Sequence, residues 1–289
     1  MIIKLRDIRS TFEGFSRLAD LALDGKEAVL ETIEVDFSST TWFDANMSAP
    51  LGVVFSLFAD QINTVQPVSF PRLVEGVLSK NRFLVGYGYP ERSDTYGTTI
   101  PYRRFKPEDD RYFAAYLNRH LEGKGIPKMS EGLGRRFRDS ILEIFVNAAM
   151  HSETRLGIFA CGQFFPVQHR LDFSVADAGI GIAAKVEKEL KLGLEPDRAI
   201  TWALQSGNTT RKGEVPGGLG LKLLREFVKI NGGRLQIVSA TGYWEYANGK
   251  ETVRLLKNPF PGTVLNLEIN TADAHSYCLR SELSPRNVF

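Results

Sequence analysis

The order of helices and strands predicted between residues 135 and 270 limits the fold more than any other feature of this sequence. A helical pattern over residues 135–151 precedes two apolar runs around a polar turn, which are typical of a β-hairpin. Further helical patterns follow, and strand patterns over residues 234–239 and 263–270 end the region. This alternation of helices and strands predicts a mixed α/β fold.

The region before residue 135 predicts a second, smaller α/β unit. A strand pattern over residues 28–37 precedes helical patterns over residues 49–62 and 108–121. Four glycines and a proline lie in residues 123–134, and such a segment favours a linker between domains. We therefore expect a regulatory domain over residues 1–122, a linker over 123–134, a larger domain over 135–272 and a tail over 273–289.

Composition and charge exclude several classes of function. Lysine and arginine (36) nearly balance aspartate and glutamate (34), so the formal net charge of +2 argues against bulk nucleic acid or an anionic membrane as the main partner. The most apolar stretch, residues 49–59, is shorter than the ~20 residues that cross a bilayer, and the charged N-terminus predicts no signal peptide. Two isolated cysteines predict neither a disulfide framework nor a zinc site. We expect a cytoplasmic protein.

Glu143, Asn147 and His151 are spaced by four residues on the predicted helix, so they form one row opposite an apolar stripe. A glutamate can take a proton from water or from a hydroxyl. The amide oxygen of an asparagine suits Mg²⁺, which binds through few protein oxygens together with phosphates. The same row is also compatible with an ordinary solvated face of a helix.

A second group, Asp177, Gly179 and Gly181, follows an apolar strand. A carboxylate at the end of a strand can accept hydrogen bonds from an exocyclic amine, and the glycines allow the backbone to approach a flat ring. An ordinary turn between a strand and a helix remains the alternative, because aspartate and glycine are common in turns.

A third group, Gly217, Gly218 and Gly220, opens a predicted helix, whose free N–H groups can bind phosphate. The sequence matches neither a P-loop nor a dinucleotide-binding fingerprint, and a flexible glycine loop is the alternative. Hydroxyl groups and positive charge for the same phosphates are available just upstream, from Thr209, Thr210 and Arg211.

Taken in order, these groups resemble the motifs of the GHKL ATPase superfamily over roughly half of the chain. The matching stretches are Glu143-x-x-x-Asn147-Ala-x-x-His151, Asp177-Ala-Gly179-Ile-Gly181, Gly217-Gly218-Leu-Gly220-Leu221 and Gly262-Thr263. The resemblance implies a Bergerat fold, an α/β (α+β) sandwich in which helices cover one face of a mixed, mostly antiparallel sheet. The first stretch is most similar to the N box of anti-sigma-factor serine kinases.

The resemblance also implies roles for these residues. Glu143 would be the catalytic general base, Asn147 would hold Mg²⁺, and Asp177 would accept the amino group of adenine. A lid before the second glycine motif, over roughly residues 185–216, would cover the triphosphate. The remaining nucleotide-binding residues that the resemblance implies are Gly179, Gly181, Thr209, Thr210, Arg211, Gly217, Gly218, Gly220, Leu221 and Thr263.

The expected function is therefore that of a Mg²⁺-dependent regulatory protein that binds and hydrolyses ATP, with the nucleotide state controlling a protein–protein interaction. The alternative is a protein serine/threonine kinase of anti-sigma-factor type that acts on a partner. Two further candidates are a module that binds ATP without catalysis and an ATPase that remodels nucleic acid. A protein partner or a homodimer is expected in either of the first two cases.

Residues 34–44, followed by an apolar helix, resemble part of a STAS-like domain, a type that pairs with anti-sigma kinases and is phosphorylated at the start of that helix. Where the family has Asp-Ser-Ser-Gly, this sequence has Asp44-Ala45-Asn46-Met47, so the usual acceptor hydroxyl is absent. Ser48 is the nearest substitute. A scaffold or dimerisation role for this unit is an equal alternative.

Overall fold

The computed structural model describes residues 1–205, 207–208 and 219–282 of the 289-residue chain. Its strands form two sheets, and helices pack between and outside them. The fold is therefore mixed α/β, which confirms the fold class predicted from the sequence. Within these residues, no helix combines the length and the apolar character that spanning a lipid bilayer requires.

Residues 1–98, which we call the N-terminal unit, fold around a small parallel sheet. Its strands lie side by side in chain order. Thr11 caps the first helix, because its hydroxyl accepts a hydrogen bond from the Gly14 N–H at 3.3 Å. The elements are β1 (Ile2–Lys4), α1 (Phe12–Asp24), β2 (Thr32–Asp36), a 3₁₀ helix (Ala45–Met47), α2 (Ser48–Asp60), β3 (Thr64–Val68), α3 (Arg72–Lys80) and a 3₁₀ helix (Leu84–Tyr87).

The rest of the described chain folds around a large sheet whose strand order is β4-β5-β6-β8-β7, with every neighbouring pair antiparallel. Strands β7 and β8 extend beyond their neighbours as a long hairpin. The elements are β4 (Thr99–Phe105), α4 (Asp110–Leu121), α5 (Glu131–His151), β5 (Ile158–Phe165), β6 (Arg170–Asp177), α6 (Ile182–Leu190), α7 (Pro196–Ala203), α8 (Leu219–Asn231), β7 (Arg234–Ala247), β8 (Lys250–Asn270) and a 3₁₀ helix (Arg280–Glu282).

The two faces of the large sheet are covered by different parts of the chain. Helices α4, α5 and α8 cover the face that we call the front, where Phe113 and Phe145 stack at 4.5 Å within an apolar core. Helices α1 and α2 of the N-terminal unit cover the opposite face, the rear, where Phe15 and Phe55 belong to the same core as Phe159 of β5. Because α2 is packed against elements on several sides, its residues are apolar almost all round.

The chain passes from the small sheet to the large sheet between β3 and β4, before the linker predicted over residues 123–134. Strand β4 and helix α4, which the sequence assigned to the first domain, belong to the layers of the large sheet. The expected linker over residues 123–134 includes the start of α5, where the hydroxyl of Ser130 accepts a hydrogen bond from the Leu133 N–H at 3.2 Å. Gly123 and Gly125 lie with positive φ in the turn between α4 and α5, which pack together, whereas Gly132 and Gly134 lie in the first turns of α5. A glycine-rich segment therefore did not mark a change of sheet here.

Candidate functional site

A pocket of about 200 Å³ opens on the front face of the large sheet, between helices α5 to α8 and strands β6 to β8. Most of its wall is apolar, formed by side chains such as Val175, Ile182, Ile237 and Leu265. The strand residues among these point forward because side chains alternate along a strand, and their neighbours in sequence face the rear. An apolar cleft with a few polar groups is the usual form of a site for a small molecule.

Helix α5 contributes part of the row that the sequence singled out. Asn147 and His151 line the pocket and are half-buried, so this face of the helix is not an ordinary solvated surface. Glu143, one turn earlier, lies beside the start of α8, where its Oε2 accepts a hydrogen bond from the Gly220 N–H at 2.8 Å. The structure therefore brings Asn147 and His151 into the pocket and places Glu143 at the contact between α5 and α8.

Asp177 ends β6 inside the pocket and is 4% exposed. Its Oδ1 accepts a hydrogen bond from the Gly179 N–H at 2.8 Å, and the Thr263 backbone and the Ser152 hydroxyl also bond to its carboxylate. Burial raises the pKa of Asp177 to about 7, although these three donors oppose the shift. A carboxyl group with this pKa changes its charge near neutral pH.

The two glycines after Asp177 have different structural roles. Gly179 packs against the end of α5, where an added Cβ would lie 2.1 Å from the Ser152 carbonyl oxygen. Gly181 lines the pocket with a φ of +80°, a conformation that side chains with a Cβ rarely adopt. The backbone is held on either side, since the Ile180 N–H donates to the Ser152 carbonyl at 2.8 Å and the Ile182 N–H donates to Ser239 Oγ at 2.8 Å.

Helix α8 and strand β8 supply the remaining described candidates. Leu221 and Thr263 line the pocket, and the Thr263 hydroxyl lies 3.1 Å from Ser239 Oγ. Gly220 is needed for close packing of α8 on α5, because an added Cβ would lie 2.9 Å from Ser140 Cα and 2.7 Å from Glu143 Oε2. The other candidates lie outside the described residues; they are Thr209, Thr210, Arg211, Gly217 and Gly218.

Several pocket residues were not singled out from the sequence. Ser152 directly follows the row on α5, and its hydroxyl bonds to Asp177. Lys185 lines the pocket from α6, and its ammonium lies 3.4 Å from Glu153 Oε1 and 3.2 Å from Glu189 Oε1. Trp202 lines the pocket from α7. Ile182, Lys185 and Val186 share one face of α6, which is a sequence signal. Lys185 and Trp202 lie within residues 185–216, the expected lid, but neither was identified as a pocket residue; residues 206 and 209–216 of that segment lie outside the described residues.

Metal-binding potential in the described residues is limited. They contain no group of three or more histidine, cysteine, aspartate or glutamate side chains that could hold a metal ion. Among the described residues, the pocket is lined by the amides of Asn147 and Asn208 and by one carboxylate, that of Asp177. A metal ion here would therefore depend on ligands from a bound molecule.

Comparison with models of protein families and with curated proteins finds no match to this chain.

Proposed function

We propose that the front-face pocket binds ATP together with Mg²⁺, and that the chain is a regulatory ATP-binding and ATP-hydrolysing protein of the GHKL class. The observation that carries this proposal is the convergence of distant segments on one apolar pocket. Asn147, Asp177, Leu221 and Thr263 come from α5, β6, α8 and β8 and line the same space. The resemblance noted in the sequence concerns these same segments.

The chemistry of the pocket supports an adenine ring as the part of the ligand that enters it. Apolar walls formed by Val175, Ile237 and Leu265 suit a flat aromatic base. The carboxyl group of Asp177 lies among them, and a carboxylate accepts hydrogen bonds only. The exocyclic amine of adenine is a donor, whereas guanine has a carbonyl oxygen at the equivalent ring position. Asp177 therefore favours adenine in this orientation.

The residues present fit a magnesium ion that arrives with the phosphates. Mg²⁺ takes oxygen ligands and usually keeps several waters, with one or two protein groups and the substrate phosphates completing its shell. The Asn147 amide oxygen is a suitable protein ligand, and a cluster of carboxylates is not required. When bound, the ion neutralises the charge that develops on the phosphates during transfer.

Glu143 is the proposed general base. Its carboxylate would take a proton from the water that attacks the terminal phosphate. The hydrogen bond from the Gly220 N–H ties this side chain to the start of α8, and α8 also contributes Leu221 to the pocket. A change at the start of α8 would therefore move both the base and the pocket wall. This link supports a nucleotide state that alters a surface of the protein.

The second candidate function is a protein serine/threonine kinase of anti-sigma-factor type. It is favoured by the form of the Glu143-x-x-x-Asn147-Ala-x-x-His151 stretch, which resembles that group most. Glu143 would then take the proton from a hydroxyl group of a partner protein instead of from water. The pocket serves both functions equally, so only the product distinguishes them.

Titration calorimetry with Mg²⁺ and ATP tests the pocket, and β6 itself offers a matched control. Asp177→Asn replaces an acceptor by a group that also donates, and we expect it to abolish measurable ATP binding. Asp172→Asn makes the same change in a buried residue on the rear face of the same strand, and ATP binding should persist. The pocket assignment fails if the Asp177 variant binds ATP like the wild type, or if both variants lose binding equally.

Analysis of labelled ATP, with and without candidate partner proteins, tests the reaction. Free phosphate supports hydrolysis, and phosphate on a protein supports the kinase. Glu143→Ala should keep ATP binding and lose either product, while Asp139→Asn, an exposed change one turn earlier on α5, should leave turnover unchanged. Tight binding without any product in the wild type would contradict the catalytic part of the proposal.

A further inference from the structure

A second hollow, of about 550 Å³, lies in the N-terminal unit and shares no lining residue with the front-face pocket. Its walls come from the segments that follow β1 and β2 and from the first turns of α1. Both strands are parallel, so their carboxyl ends meet at the same edge of the small sheet. In open α/β sheets, ligands commonly bind outside the carboxyl ends of the strands.

Three arginines line this hollow. Arg6 is exposed and has no hydrogen-bond or ion-pair partner among the residues that the structure describes. The Arg9 guanidinium stacks over the Trp42 ring at 4.7 Å from its centroid, and the Arg17 guanidinium donates to the backbone carbonyl of Asp7. A stacked ring and a carbonyl hold a guanidinium in place without neutralising its charge.

The acidic residues of the hollow are engaged elsewhere. The Asp7 carboxylate accepts hydrogen bonds from the Thr41 N–H at 2.6 Å, the Trp42 N–H at 3.0 Å and the Thr41 hydroxyl at 3.0 Å. Partial burial acts to raise the pKa of Asp7, but these donors and the nearby Arg9 outweigh it and hold the pKa below its usual value. Glu13 Oε1 lies 3.7 Å from the guanidinium of Arg254, which lies outside the hollow.

Positive charge therefore dominates the hollow. Three arginines line it, against the Asp7 carboxylate, which stays charged although its own loop holds it, and the Glu13 carboxylate, which lies beside Arg254 outside the hollow. The exposed hydroxyl of Ser39 adds a neutral donor. The amino end of α1 contributes a field of the same sign as the arginines.

We propose that this hollow is a binding site for a phosphate monoester dianion, held by the guanidinium groups of Arg6, Arg9 and Arg17. The planar fork of a guanidinium matches the oxygens of a phosphate and gives charge-assisted hydrogen bonds. With Asp7 charged and Glu13 paired with Arg254, the arginines leave an excess of two positive charges, which a dianion balances and a carboxylate does not. The ligand is either a phosphorylated side chain of a protein or a small free phosphate compound. This proposal does not depend on ATP binding at the front face.

Calorimetric titration of the full chain, without nucleotide, tests the site. The probes are inorganic phosphate and a short neutral peptide that contains one phosphoserine, each at constant ionic strength. Arg6→Glu reverses one charge without removing a described contact, and we expect it to weaken phosphopeptide binding by at least about tenfold, as expected for loss of a charged hydrogen bond. Arg111→Glu makes the same change on an exposed residue of α4 and should leave binding unchanged.

The outcomes separate this site from the front-face pocket. Binding should persist in Asp177→Asn, which removes the proposed adenine contact, so failure of the ATP proposal leaves this result intact. Tighter binding of the peptide than of inorganic phosphate identifies a phosphoprotein as the ligand, and equal binding identifies a free phosphate. The proposal is overturned if the wild type binds neither probe saturably, or if Arg6→Glu and Arg111→Glu weaken binding alike.

Discussion

The front and rear faces of the large sheet differ in chemistry where β6, β8 and β7 lie side by side. On the front, Val175, Ile237 and Leu265 form one row across β6, β7 and β8 and line the candidate pocket. The residues directly adjacent to these in sequence form a second row, which faces the rear and is fully buried. This row consists of Ser174, Gln236 and Asn266. The apolar row leaves space for a ligand, and the polar row is completely covered.

The rear row is buried because a side chain of the N-terminal unit joins its hydrogen-bond network. Asn46 Nδ2 lies within hydrogen-bond distance of Ser174 Oγ at 3.0 Å, Asn266 Oδ1 at 2.8 Å and Ser10 Oγ at 2.9 Å. Asn266 Nδ2 then donates to Gln236 Oε1 at 2.7 Å. Polar groups that pair with one another can be buried at little cost, whereas unpaired ones cannot. The polar row thus forms part of the interface between the large sheet and the N-terminal unit.

The two buried aspartates of β6 extend the comparison to charge. Asp177, on the front, has three hydrogen-bond donors. Asp172, on the rear, lies 3.4 Å from Arg170 Nε, but neither of its oxygens nor that nitrogen makes a hydrogen bond. Burial, together with Glu268 and Asp44, raises the pKa of Asp172 to about 8, against the opposing effect of two arginines. Arg170 therefore compensates the charged form of Asp172 poorly, and the raised pKa favours the neutral carboxyl group at pH 7.

Removing the N-terminal unit should have the largest effect on this comparison. A fragment that starts at residue 99 exposes the apolar side chains of the rear face, such as Phe159 and Val264, together with the polar row. We expect it to lose cooperative unfolding in urea and to bind a hydrophobic dye, because an apolar patch of this kind needs cover. Adding residues 1–98 as a separate chain should restore the transition. A fragment with the urea midpoint of the full chain would show that the rear needs no cover.

Asn46→Leu should have the next largest effect. The change removes the central donor of the rear network and leaves buried oxygens of Ser10 and Ser174 with fewer partners. We expect the free energy of unfolding to fall by about 2 to 4 kcal/mol, since each buried polar group left unpaired costs about 1–3 kcal/mol. Urea denaturation measures it. Gln66→Leu, at an exposed amide on β3, should change stability by no more than about 0.5 kcal/mol. Equal losses in both variants would contradict a special role for the network.

Asp172→Asn tests the charge state of the buried aspartate on the rear face, because its effect on stability depends on pH. The raised pKa means that the folded chain binds more protons than the unfolded chain between about pH 4 and about pH 8. The contribution of Asp172 to the free energy of unfolding is therefore complete below this window. It is lost as the pH rises through the window, by up to about 1.4 kcal/mol per pH unit. The free energy of unfolding of Asp172→Asn, measured by urea denaturation at several pH values, should therefore depend less on pH than that of the wild type. An unchanged slope would mean that Asp172 is already ionised at neutral pH.

The smallest expected effect concerns ATP affinity on the front face. With a pKa of about 7 for Asp177, the carboxylate that accepts the adenine amine forms as the pH rises. The affinity for ATP should rise by a few-fold between about pH 6 and about pH 8. Below the pKa of Asp177, it can change by at most about tenfold for each pH unit. Asp172→Asn should keep this dependence, because Asp172 lies on the other face. Affinity that weakens with rising pH would count against Asp177 as an acceptor.

Much of the candidate site could be predicted because its signals are local. The spacing of Asn147 and His151 on one helix, and the glycines after Asp177, depend on residues that are close in sequence. The assignment of β4 to the large sheet could not be predicted, because its partner β5 lies more than fifty residues away. Trp202 was missed for a similar reason, since only the packing of α7 on β7 brings it to the pocket.

The sequence by itself determined which side chains lie on opposite faces within β6 and within β8. Side chains alternate along a strand, so Val175 must face away from Ser174, and Leu265 away from Asn266. Such alternation normally predicts that the polar face meets water. Only the tertiary structure decided that it is buried, because its partner Asn46 is 128 residues from Ser174 and 220 residues from Asn266. Burial of a polar row depends on whether a matching donor docks there, and no local pattern records that.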